Sequence, residues 1–483
     1  MDKNYFVTVT GSGGKTFVLE VPEGKNLYKV LVGCDKLHFT APCGGNGKCG
    51  KCGCFVNGTW KLACGTTVDK DLNVIINQQE NKVKLELEKN YVDPNADFGF
   101  VVDIGTTTLE VQLYDITKKL PMARASMLNP QGAYGADVIS RIDYTVKNKG
   151  GLEQLQKVVL RAIENLCTGI CAETGIKLKN VKRYCIDGNT TMLHIFAGQN
   201  PKGLGISPFT PVFTDSRRIP TGTLSAILRG EFILLPSLSA YIGSDILAGV
   251  LSLNLNNLKN VLLVDMGTNG EMVLASKQGL WAVSTACGPA FEGAGISHGI
   301  GGVEGAICDV KIDGETVNFS TIGDAPPTGI CGSGLVSLIS ELLKKEIIDE
   351  TGYMEEDFCI TGDIVLTTGD VRAVQNAKAA VEAGIYTLLD LAGLTPSDIC
   401  KVYLAGGFGN FLNPVSAAGA GLIPAEFENI SEGVGNSAIK GAALVLLSES
   451  LLDELQKIKS EMKYVELSGN KLFNGHYIDC MYF

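Results

Sequence analysis

The chain has 483 residues, enough for about three folding units, and 45% of them are hydrophobic against 19% charged. Its formal net charge of −11 argues against nonspecific nucleic-acid binding, which requires lysine and arginine to neutralise phosphates. The N-terminus lacks an apolar signal core, and the most hydrophobic stretch, residues 232–253, is interrupted by Pro236 and Asp245, so we expect a cytoplasmic protein without a membrane partner.

The chain opens with a predicted hairpin. Residues 5–10 and 16–21 alternate apolar and polar side chains on either side of the glycine-rich segment 11–14, a pattern typical of two antiparallel strands joined by a tight turn. A short helix is expected over residues 27–33.

Four cysteines follow with the spacing Cys-x5-Cys-x2-Cys-x11-Cys: Cys43, Cys49, Cys52 and Cys64. Three thiolates on one glycine-rich loop and a fourth nearby can surround two irons, while the glycines let backbone N–H groups approach the sulfurs. An odd total of 15 cysteines without a secretion signal also favours metal ligation over disulfides. The motif therefore predicts a 2Fe-2S cluster.

A structural zinc site and unrelated buried cysteines are the alternatives. Zinc usually takes paired Cys-x2-Cys knuckles, and the motif contains one such pair. We expect packing roles for Cys34 and Cys54, although Cys54 could substitute as a ligand. Spacing and flanking residues resemble 2Fe-2S ferredoxin domains of the β-grasp type over residues 1–90.

Beyond a polar linker at residues 91–98, a motif occurs twice, as Asp103-Ile-Gly105-Thr and as Asp265-Met-Gly267-Thr. Both copies predict a buried strand, a turn and a second strand. Backbone N–H groups and hydroxyls of such a turn can bind phosphate oxygens while the carboxylate faces Mg²⁺. One copy alone would more commonly be a hairpin with a capping aspartate, but two copies in matching contexts favour phosphate binding.

Each turn is followed by another strand that ends in glycine before a helix, within residues 184–192 and 402–410. Gly406 and Gly407 would let a nucleobase or ribose lie against the main chain.

A glycine-rich segment, residues 329–334, precedes an amphipathic helix predicted over residues 335–347. The apolar stripe of this helix fits an ordinary core helix. Its entry, with Gly332 and Gly334, is a further candidate for nucleotide contact.

This duplicated order resembles the acetate and sugar kinase, Hsp70 and actin superfamily, in which two ribonuclease-H-like halves close on ATP. The resemblance implies an α/β fold: a β-grasp 2Fe-2S ferredoxin-like domain, then a duplicated ATPase domain over residues 99–483, with halves of about 99–255 and 256–483. With segments 207–211, 288–293 and 464–467, nearly the whole chain resembles reductive activators of corrinoid-dependent enzymes.

The resemblance implies an ATP-hydrolysing, one-electron reductase that returns the inactive Co(II) corrinoid of a methyltransferase corrinoid protein to Co(I). Its cofactors would be a 2Fe-2S cluster, ATP and Mg²⁺, and its partners a corrinoid protein and an upstream electron donor; a homodimer is left open. Longer family members carry a middle domain between ferredoxin and ATPase, where we expect only a short link here.

Our hypothesis for the site follows from this family. The expected catalytic residues are Asp103, Asp265, Glu271 and Asp245, of which Asp103 and Asp265 would also address Mg²⁺. The expected nucleotide-binding residues are Gly105, Thr106, Thr107, Thr108, Gly267, Thr268, Asn269, Gly270, Gly332, Gly334, Gly406, Gly407, Phe408 and Gly409. We expect structural or surface roles for the four histidines.

Two other functions remain open from the sequence. The chain could be a small-molecule kinase with a redox-regulating ferredoxin, which a phosphorylated product would reveal. It could also activate another low-potential enzyme, such as a 2-hydroxyacyl-CoA dehydratase, whose activators hold a 4Fe-4S cluster between subunits. We favour incidental roles for Cys287 and Cys331, the thiols nearest the expected nucleotide site.

Overall fold

The computed structural model describes residues 3–483 apart from residues 12–15, 35–38, 40–44, 46, 48–51, 77–82, 89, 91–92 and 94–95. The chain forms two compact units. The first comprises residues 1–235 and 445–448, and the second comprises residues 236–444 and 449–483. None of the helices in the described part of the chain combines the length and apolarity needed to cross a membrane.

The N-terminal part of the first unit is a five-stranded sheet with one helix. Its elements are β1 Asn4–Thr10, β2 Thr16–Pro22, α1 Leu27–Val32, β3 Gly53–Val56, β4 Thr59–Leu62 and β5 Leu72–Ile75. The strand order is β2-β1-β5-β3-β4. The predicted hairpin is confirmed, because β1 and β2 pair antiparallel. The α1 helix begins after Asn26, whose side chain accepts the Lys29 amide and so caps the first turn.

A seven-stranded sheet and three helices complete the first unit. They are β6 Lys84–Leu87, β7 Phe98–Ile104, β8 Thr108–Asp115, β9 Leu120–Leu128, α2 Val138–Lys147, α3 Gly151–Thr174, β10 Val181–Gly188, α4 Thr190–Phe196, β11 Arg217–Pro220 and β12 Glu231–Leu234. The strand order is β11-β12-β10-β7-β8-β9-β6. The central strand β7 is almost wholly buried, as its continuous apolar run predicts.

Strand β6 joins this second sheet, although it lies within residues 1–90. It pairs antiparallel with the edge strand β9, from Lys84 with Ser126 to Leu87 with Ala123. All its side chains are exposed. Among the described strands, the change from one sheet to the other therefore falls between β5 and β6.

The second unit contains most of the helical residues. Its elements are α5 Ser244–Ser252, β13 Val261–Met266, β14 Gly270–Ser276, β15 Gly279–Thr285, β16 Ala306–Asp313, β17 Thr316–Thr321, β18 Gly329–Ile330, α6 Gly332–Lys344, β19 Phe358–Thr361, β20 Ile364–Leu366, α7 Thr368–Ala392, β21 Lys401–Ala405, α8 Gly406–Gly409, α9 Pro414–Gly419, β22 Ser431–Gly435, α10 Ser437–Leu447, α11 Leu451–Glu461, β23 Met462–Tyr464 and α12 Lys471–Asp479. Its main sheet has the order β22-β21-β13-β14-β15-β23. The last three residues of α10 belong to the first unit.

The repeat seen in the sequence is a repeat of topology. In the first unit β7 pairs antiparallel with β8 and parallel with β10. In the second unit β13 pairs antiparallel with β14 and parallel with β21 in the same way. Because the carboxyl ends of parallel strands meet at one sheet edge, each unit brings its Asp-x-Gly-Thr turn next to a glycine-terminated strand.

His194 is a core residue of the first unit. Its Nδ1 contacts the Thr190 carbonyl at 2.7 Å and its Nε2 accepts the Val212 amide at 3.0 Å, which fixes the neutral ring with its proton on Nδ1. The ring also stacks on Phe213. Burial lowers the pKa of His194 to about 4. The expectation that this histidine is structural is confirmed.

The lowered pKa of His194 predicts weaker folding in mild acid. Below about pH 6.5 this histidine is protonated in the unfolded chain but stays neutral in the folded protein. The free energy of unfolding therefore decreases as pH falls from about 6.5 towards 4. In His194→Gln, the loss of unfolding free energy between pH 7 and 5 should shrink by about 2 kcal/mol. Urea unfolding at both pH values measures this. An identical acid-side loss in both proteins would contradict it.

Candidate functional site

Two of the four cysteines of the motif lie in described residues, and they are neighbours. Cys52 directly precedes β3 and is buried, while Cys64 lies in a short 3-10 turn after β4. The Cys64 amide donates to Cys52 Sγ at 3.5 Å, and the Asn26 side chain donates to the Cys64 carbonyl at 2.8 Å. Cys43 and Cys49 lie outside the described residues. The arrangement therefore holds two thiols of the predicted set close to a backbone donor.

Cys54 and Cys34, the two cysteines close to the motif, differ in burial. Cys54 lies on β3 and is 2% exposed, whereas Cys34 is half-buried. Burial, with the neighbouring Cys52, raises the pKa of Cys54 to about 11, which favours an uncharged thiol. Packing accounts for Cys54 in this structure.

The second Asp-x-Gly-Thr turn connects β13 to β14. Asp265 pairs across the hairpin with Glu271, and the Gly267 amide donates to the Asn269 carbonyl at 2.9 Å. Thr268 and Gly270 complete the connection, with Gly270 opening β14. The Thr268 hydroxyl donates to Glu292 at 3.0 Å. The turn is thus held by a backbone hydrogen bond within it and by the hydrogen bond from Thr268 to Glu292.

Cys287 contacts the same turn through its thiol. Its thiol donates to the Gly267 carbonyl at 3.4 Å and approaches the Thr268 carbonyl at 3.5 Å. Burial, reinforced by Glu271, raises the pKa of Cys287 to about 12, so the thiol stays protonated and able to donate. These are packing contacts with the predicted phosphate turn, so the incidental role expected for Cys287 stays a prediction.

The predicted adenosine loop approaches this turn closely. Gly406 has φ +86°, and a Cβ there would lie 2.7 Å from Asp265 Oδ1 and 2.6 Å from the Met266 carbonyl. Only glycine can therefore occupy this position. Gly407 faces open space, since apart from its chain neighbours and its own helix backbone no atom lies within 4 Å of where its Cβ would be. Phe408 stacks on Phe291 with ring centroids 5.0 Å apart. Gly409, the last residue of α8, is buried.

Three carboxylates of the second unit, those of Asp245, Asp265 and Glu271, repel one another. Burial, and then Asp265, raise the pKa of Asp245 to about 7. Burial, together with Asp245 and Asp265, raises the pKa of Glu271 well above its usual value, opposed in part by a hydrogen bond from Asn269. A bound divalent cation would relieve this repulsion, and carboxylate oxygens are ligands that Mg²⁺ prefers. Among the described residues no three acidic, histidine or cysteine side chains are grouped tightly enough to hold a metal alone.

Gly332 and Gly334 open helix α6 and are packed against protein atoms. A Cβ on Gly332 would lie 2.1 Å from the Phe291 carbonyl, and one on Gly334 would lie 2.2 Å from the Ile307 carbonyl. Close backbone packing explains both glycines. Helix α6 begins earlier than the predicted residue 335 because these glycines are themselves helical. Their contact with a nucleotide stays a prediction.

The first Asp-x-Gly-Thr turn, between β7 and β8, is bound by side chains from three other segments. Gly105, Thr106 and Thr107 form the turn, and Thr108 opens β8. Asn129 donates to the Gly105 carbonyl at 2.8 Å, and Asn189 donates to the Thr106 hydroxyl at 3.0 Å. The parallel pairing of β7 with β10 puts Asp187 beside Asp103.

Arg141 is the third contact of this turn and is 1% exposed. It donates to the Thr106 carbonyl at 2.5 Å, to the Gly135 carbonyl at 2.9 Å and to the Gln131 side chain at 3.4 Å. Sequence reasoning missed Arg141, Asn129, Asn189, Asp187 and Glu292. Of these five residues, only Asp187 had a signal in the sequence, as a single acidic residue at the end of an apolar strand. The contacts of the other four are set by tertiary folding.

Arg141→Met should destabilise the first unit. The substitution removes the donor to the Thr106, Gly135 and Gln131 oxygens and to the Met192 sulfur, so we expect the free energy of unfolding to fall by roughly 3 kcal/mol. Denaturant unfolding measures the loss. Arg124→Met is the matched control, because Arg124 pairs with Glu86 on the surface and its loss should cost less than about 1 kcal/mol. Equal losses in the two variants would contradict the buried role of Arg141.

Comparison with known protein families accounts for residues 98–483. Residues 259–483 match the family described as the C-terminal domain of RACo, the ASKHA domain, and residues 98–258 match the RACo middle region. ASKHA denotes the acetate and sugar kinase, Hsp70 and actin superfamily, so the mixed α/β fold with a C-terminal domain of this class is established. A middle region is present, and the expectation of only a short link in its place is wrong.

Two similar proteins each match over about four-fifths of the chain. The corrinoid activation enzyme RamQ of Eubacterium limosum is 33% identical over 79% of this chain and 69% of its own length. A reductase of the Co(II) methylated amine-specific corrinoid protein of Methanosarcina barkeri is 27% identical over 79% of this chain and 76% of its own.

Among solved structures, a reductive activator for corrinoid, iron-sulfur protein aligns with a TM-score of 0.74 and 29% identity over 99% of this chain and 98% of that one. The sequence comparisons and the structural alignment thus point to the same family. The chain belongs to the RACo family of reductive activators of corrinoid-dependent enzymes.

Proposed function

We propose that this protein is an ATP-dependent, one-electron reductive activator that returns the Co(II) corrinoid of a methyltransferase corrinoid protein to Co(I). The observation that carries the proposal is the similarity over 99% of the chain to a solved reductive activator for corrinoid, iron-sulfur protein. The named relatives, a corrinoid activation enzyme and a Co(II) corrinoid protein reductase, support the same substrate class. An upstream electron donor is required by the chemistry.

We assign the electron-donating group to the N-terminal sheet. Cys52 and Cys64 are close enough to share one cluster, and a backbone amide already donates to the Cys52 sulfur. With Cys43 and Cys49 they would hold a 2Fe-2S cluster, which supplies single electrons at low potential. Amide donors to the sulfurs are among the features that tune this potential.

We assign phosphate and Mg²⁺ binding to each Asp-x-Gly-Thr turn taken by itself, and adenosine binding to the Gly406 loop of the second unit. In the second unit, Asp265 and Asp245 would face the cation, while Thr268 and the turn amides would face phosphate oxygens. The open space at Gly407 leaves room for adenosine against the backbone. Asp103 with residues 105–108 is the corresponding turn of the first unit.

In this proposal ATP is needed because transfer of an electron from the 2Fe-2S cluster to the Co(II) corrinoid is thermodynamically unfavourable. Plant-type 2Fe-2S centres lie at about −400 mV, and about 59 mV is a factor of ten in a one-electron equilibrium. ATP can shift the electron-transfer equilibrium only if the ATP-bound protein interacts with the corrinoid protein, or with the surroundings of its cobalt, differently from the nucleotide-free protein. The proposal therefore predicts nucleotide-dependent affinity for the Co(II) form of the partner.

The test is a reduction assay without oxygen. The protein is mixed with a chemical reductant and a Co(II) corrinoid protein, and the cobalt absorbance is followed with ATP, with ADP or without nucleotide. We expect Co(I) only with ATP. Equal Co(I) in all three mixtures would remove ATP from the proposal, and a phosphorylated small product would identify a kinase instead.

A further inference from the structure

Tyr28 contacts the cluster-binding region from helix α1. Its ring lies against Gly45, where a Cβ would come within 2.4 Å of Tyr28 Cδ1. Gly45 belongs to the loop between Cys43 and Cys49. Two residues before Tyr28, Asn26 donates to the Cys64 carbonyl at 2.8 Å. Helix α1 and its N-cap residue thus contact both Gly45, which lies between two predicted cluster ligands in the sequence, and Cys64.

The hydroxyl of Tyr28 contacts the 3-10 segment that follows β9 in the first unit. It donates to the Ala133 carbonyl at 2.9 Å, a buried contact between residues 105 positions apart in the chain. Tyr28 is 3% exposed, and Phe39 packs edge-on against its ring with centroids 5.9 Å apart. A buried tyrosine hydroxyl needs a partner, so this hydrogen bond fixes the position of α1 relative to Ala133.

Ala133 ends the 3-10 segment that contacts the first phosphate-type turn. This segment, Pro130–Ala133, follows Asn129, whose side chain and backbone bind the Gly105 and Thr107 carbonyls at 2.8 and 2.7 Å. A second connection runs through Gln131, which accepts from Arg141. Tyr28 is thus linked to the turn through this short covalent segment, with a buried hydrogen bond at Ala133 and a part-buried one from the Asn129 side chain to the turn.

We propose that Tyr28 is a positioning residue that couples nucleotide occupancy of the Gly105–Thr107 turn to the cluster-binding loop. A shift of the turn on phosphate binding moves Asn129 and Ala133, and Tyr28 carries that displacement to Gly45 and, through Asn26, to Cys64, whose amide donates to Cys52 Sγ. An amide that donates to a cluster sulfur tunes the reduction equilibrium. The inference rests on the proposed function, because it requires both a cluster and a bound nucleotide.

The expected size follows from one hydrogen bond. The net strength of a buried neutral hydrogen bond corresponds to roughly a fivefold change in an equilibrium. Nucleotide should therefore shift the reduction equilibrium of the cluster about fivefold, or about 40 mV for one electron. Because linkage is reciprocal, oxidised and reduced protein should differ in ATP affinity by the same factor.

The test compares Tyr28→Phe with the full-length parent protein. The substitution keeps the ring against Gly45 and removes only the hydroxyl. We measure the midpoint potential of the cluster, and the affinity for a non-hydrolysable ATP analogue with Mg²⁺ in both redox states. In Tyr28→Phe, the ratio of ATP-analogue affinities between the two redox states should fall from about fivefold to less than about twofold. The cluster absorbance should be retained. Tyr5→Phe is the matched control, since its hydroxyl contacts Glu23 in the same domain at an exposed site.

Each outcome decides between coupling and a structural role. A parent that binds cluster and nucleotide but shows no mutual effect overturns the inference and leaves the proposed function standing. An unchanged ratio in Tyr28→Phe, or loss of the cluster from that variant, also overturns it. A parent that takes up no cluster or no nucleotide overturns the proposed function as well.

Discussion

Asp265→Asn is expected to lower ATP hydrolysis and ATP-dependent cobalt reduction by at least about 100-fold, the usual cost of removing a preorganised charge at a reacting centre. Asparagine keeps the shape of the side chain, so the close approach of Gly406 is preserved. The cluster spectrum should be unchanged, because Asp265 lies in the second unit and Cys52 and Cys64 lie in the first. Phosphate release and visible absorbance measure the two effects.

The electrostatics of Asp265 supply a second readout. Asp245 and Glu271 both have raised pKa values, in part because of Asp265. Removing one charge should therefore leave the melting temperature of the nucleotide-free protein unchanged or higher. Asp313→Asn, at the exposed end of β16, is the control and should change none of these properties. A variant that loses both the ATP effect and the cluster would make Asp265 a structural residue.

Cys52→Ser is expected to reduce bound iron and the cluster absorbance to near zero. A cluster thiolate cannot be replaced by a hydroxyl without a large loss of affinity for iron, and Cys52 is fully enclosed beside the Cys64 amide. Cobalt reduction should stop, while ATP hydrolysis persists. Iron analysis and the visible spectrum of reconstituted protein provide the measurement.

Two further variants sharpen this prediction. Cys54→Ala should keep the cluster, because burial favours the uncharged thiol at that position. If Cys52→Ser retains iron, the double substitution with Cys54→Ala shows whether Cys54 has replaced the missing ligand. Retention of a normal cluster in the double variant would contradict the assignment of Cys52.

The hairpins and turns were predictable from the sequence because their signals are local. The apolar run before Asp265 and the Gly-Thr turn after it specify β13, the turn and β14 without long-range information. The hairpin of β1 and β2 is similar. The glycine before a helix at Gly406 was also visible, since no other residue tolerates that approach to Asp265.

The contacts that fix those turns were not predictable in the same way. Arg141 lies on a helix whose periodicity indicates only an exposed and a buried face, and nothing local marks an arginine that binds the Thr106 carbonyl. Tyr28 and Ala133 are joined across 105 positions. Strand β6 pairs at a sheet edge, where sequence patterns specify register weakly. These features depend on tertiary packing rather than on propensity.

The central claim is that ATP drives an electron from this protein's own cluster to cobalt, and a single-turnover experiment tests it most directly. The protein is reduced, freed of reductant, and mixed with a Co(II) corrinoid protein while cluster and cobalt absorbance are recorded together. We predict that one Co(I) forms for each cluster reoxidised when ATP is present, and that neither signal changes without it. Formation of Co(I) without cluster oxidation, or to the same extent without ATP, would contradict the account.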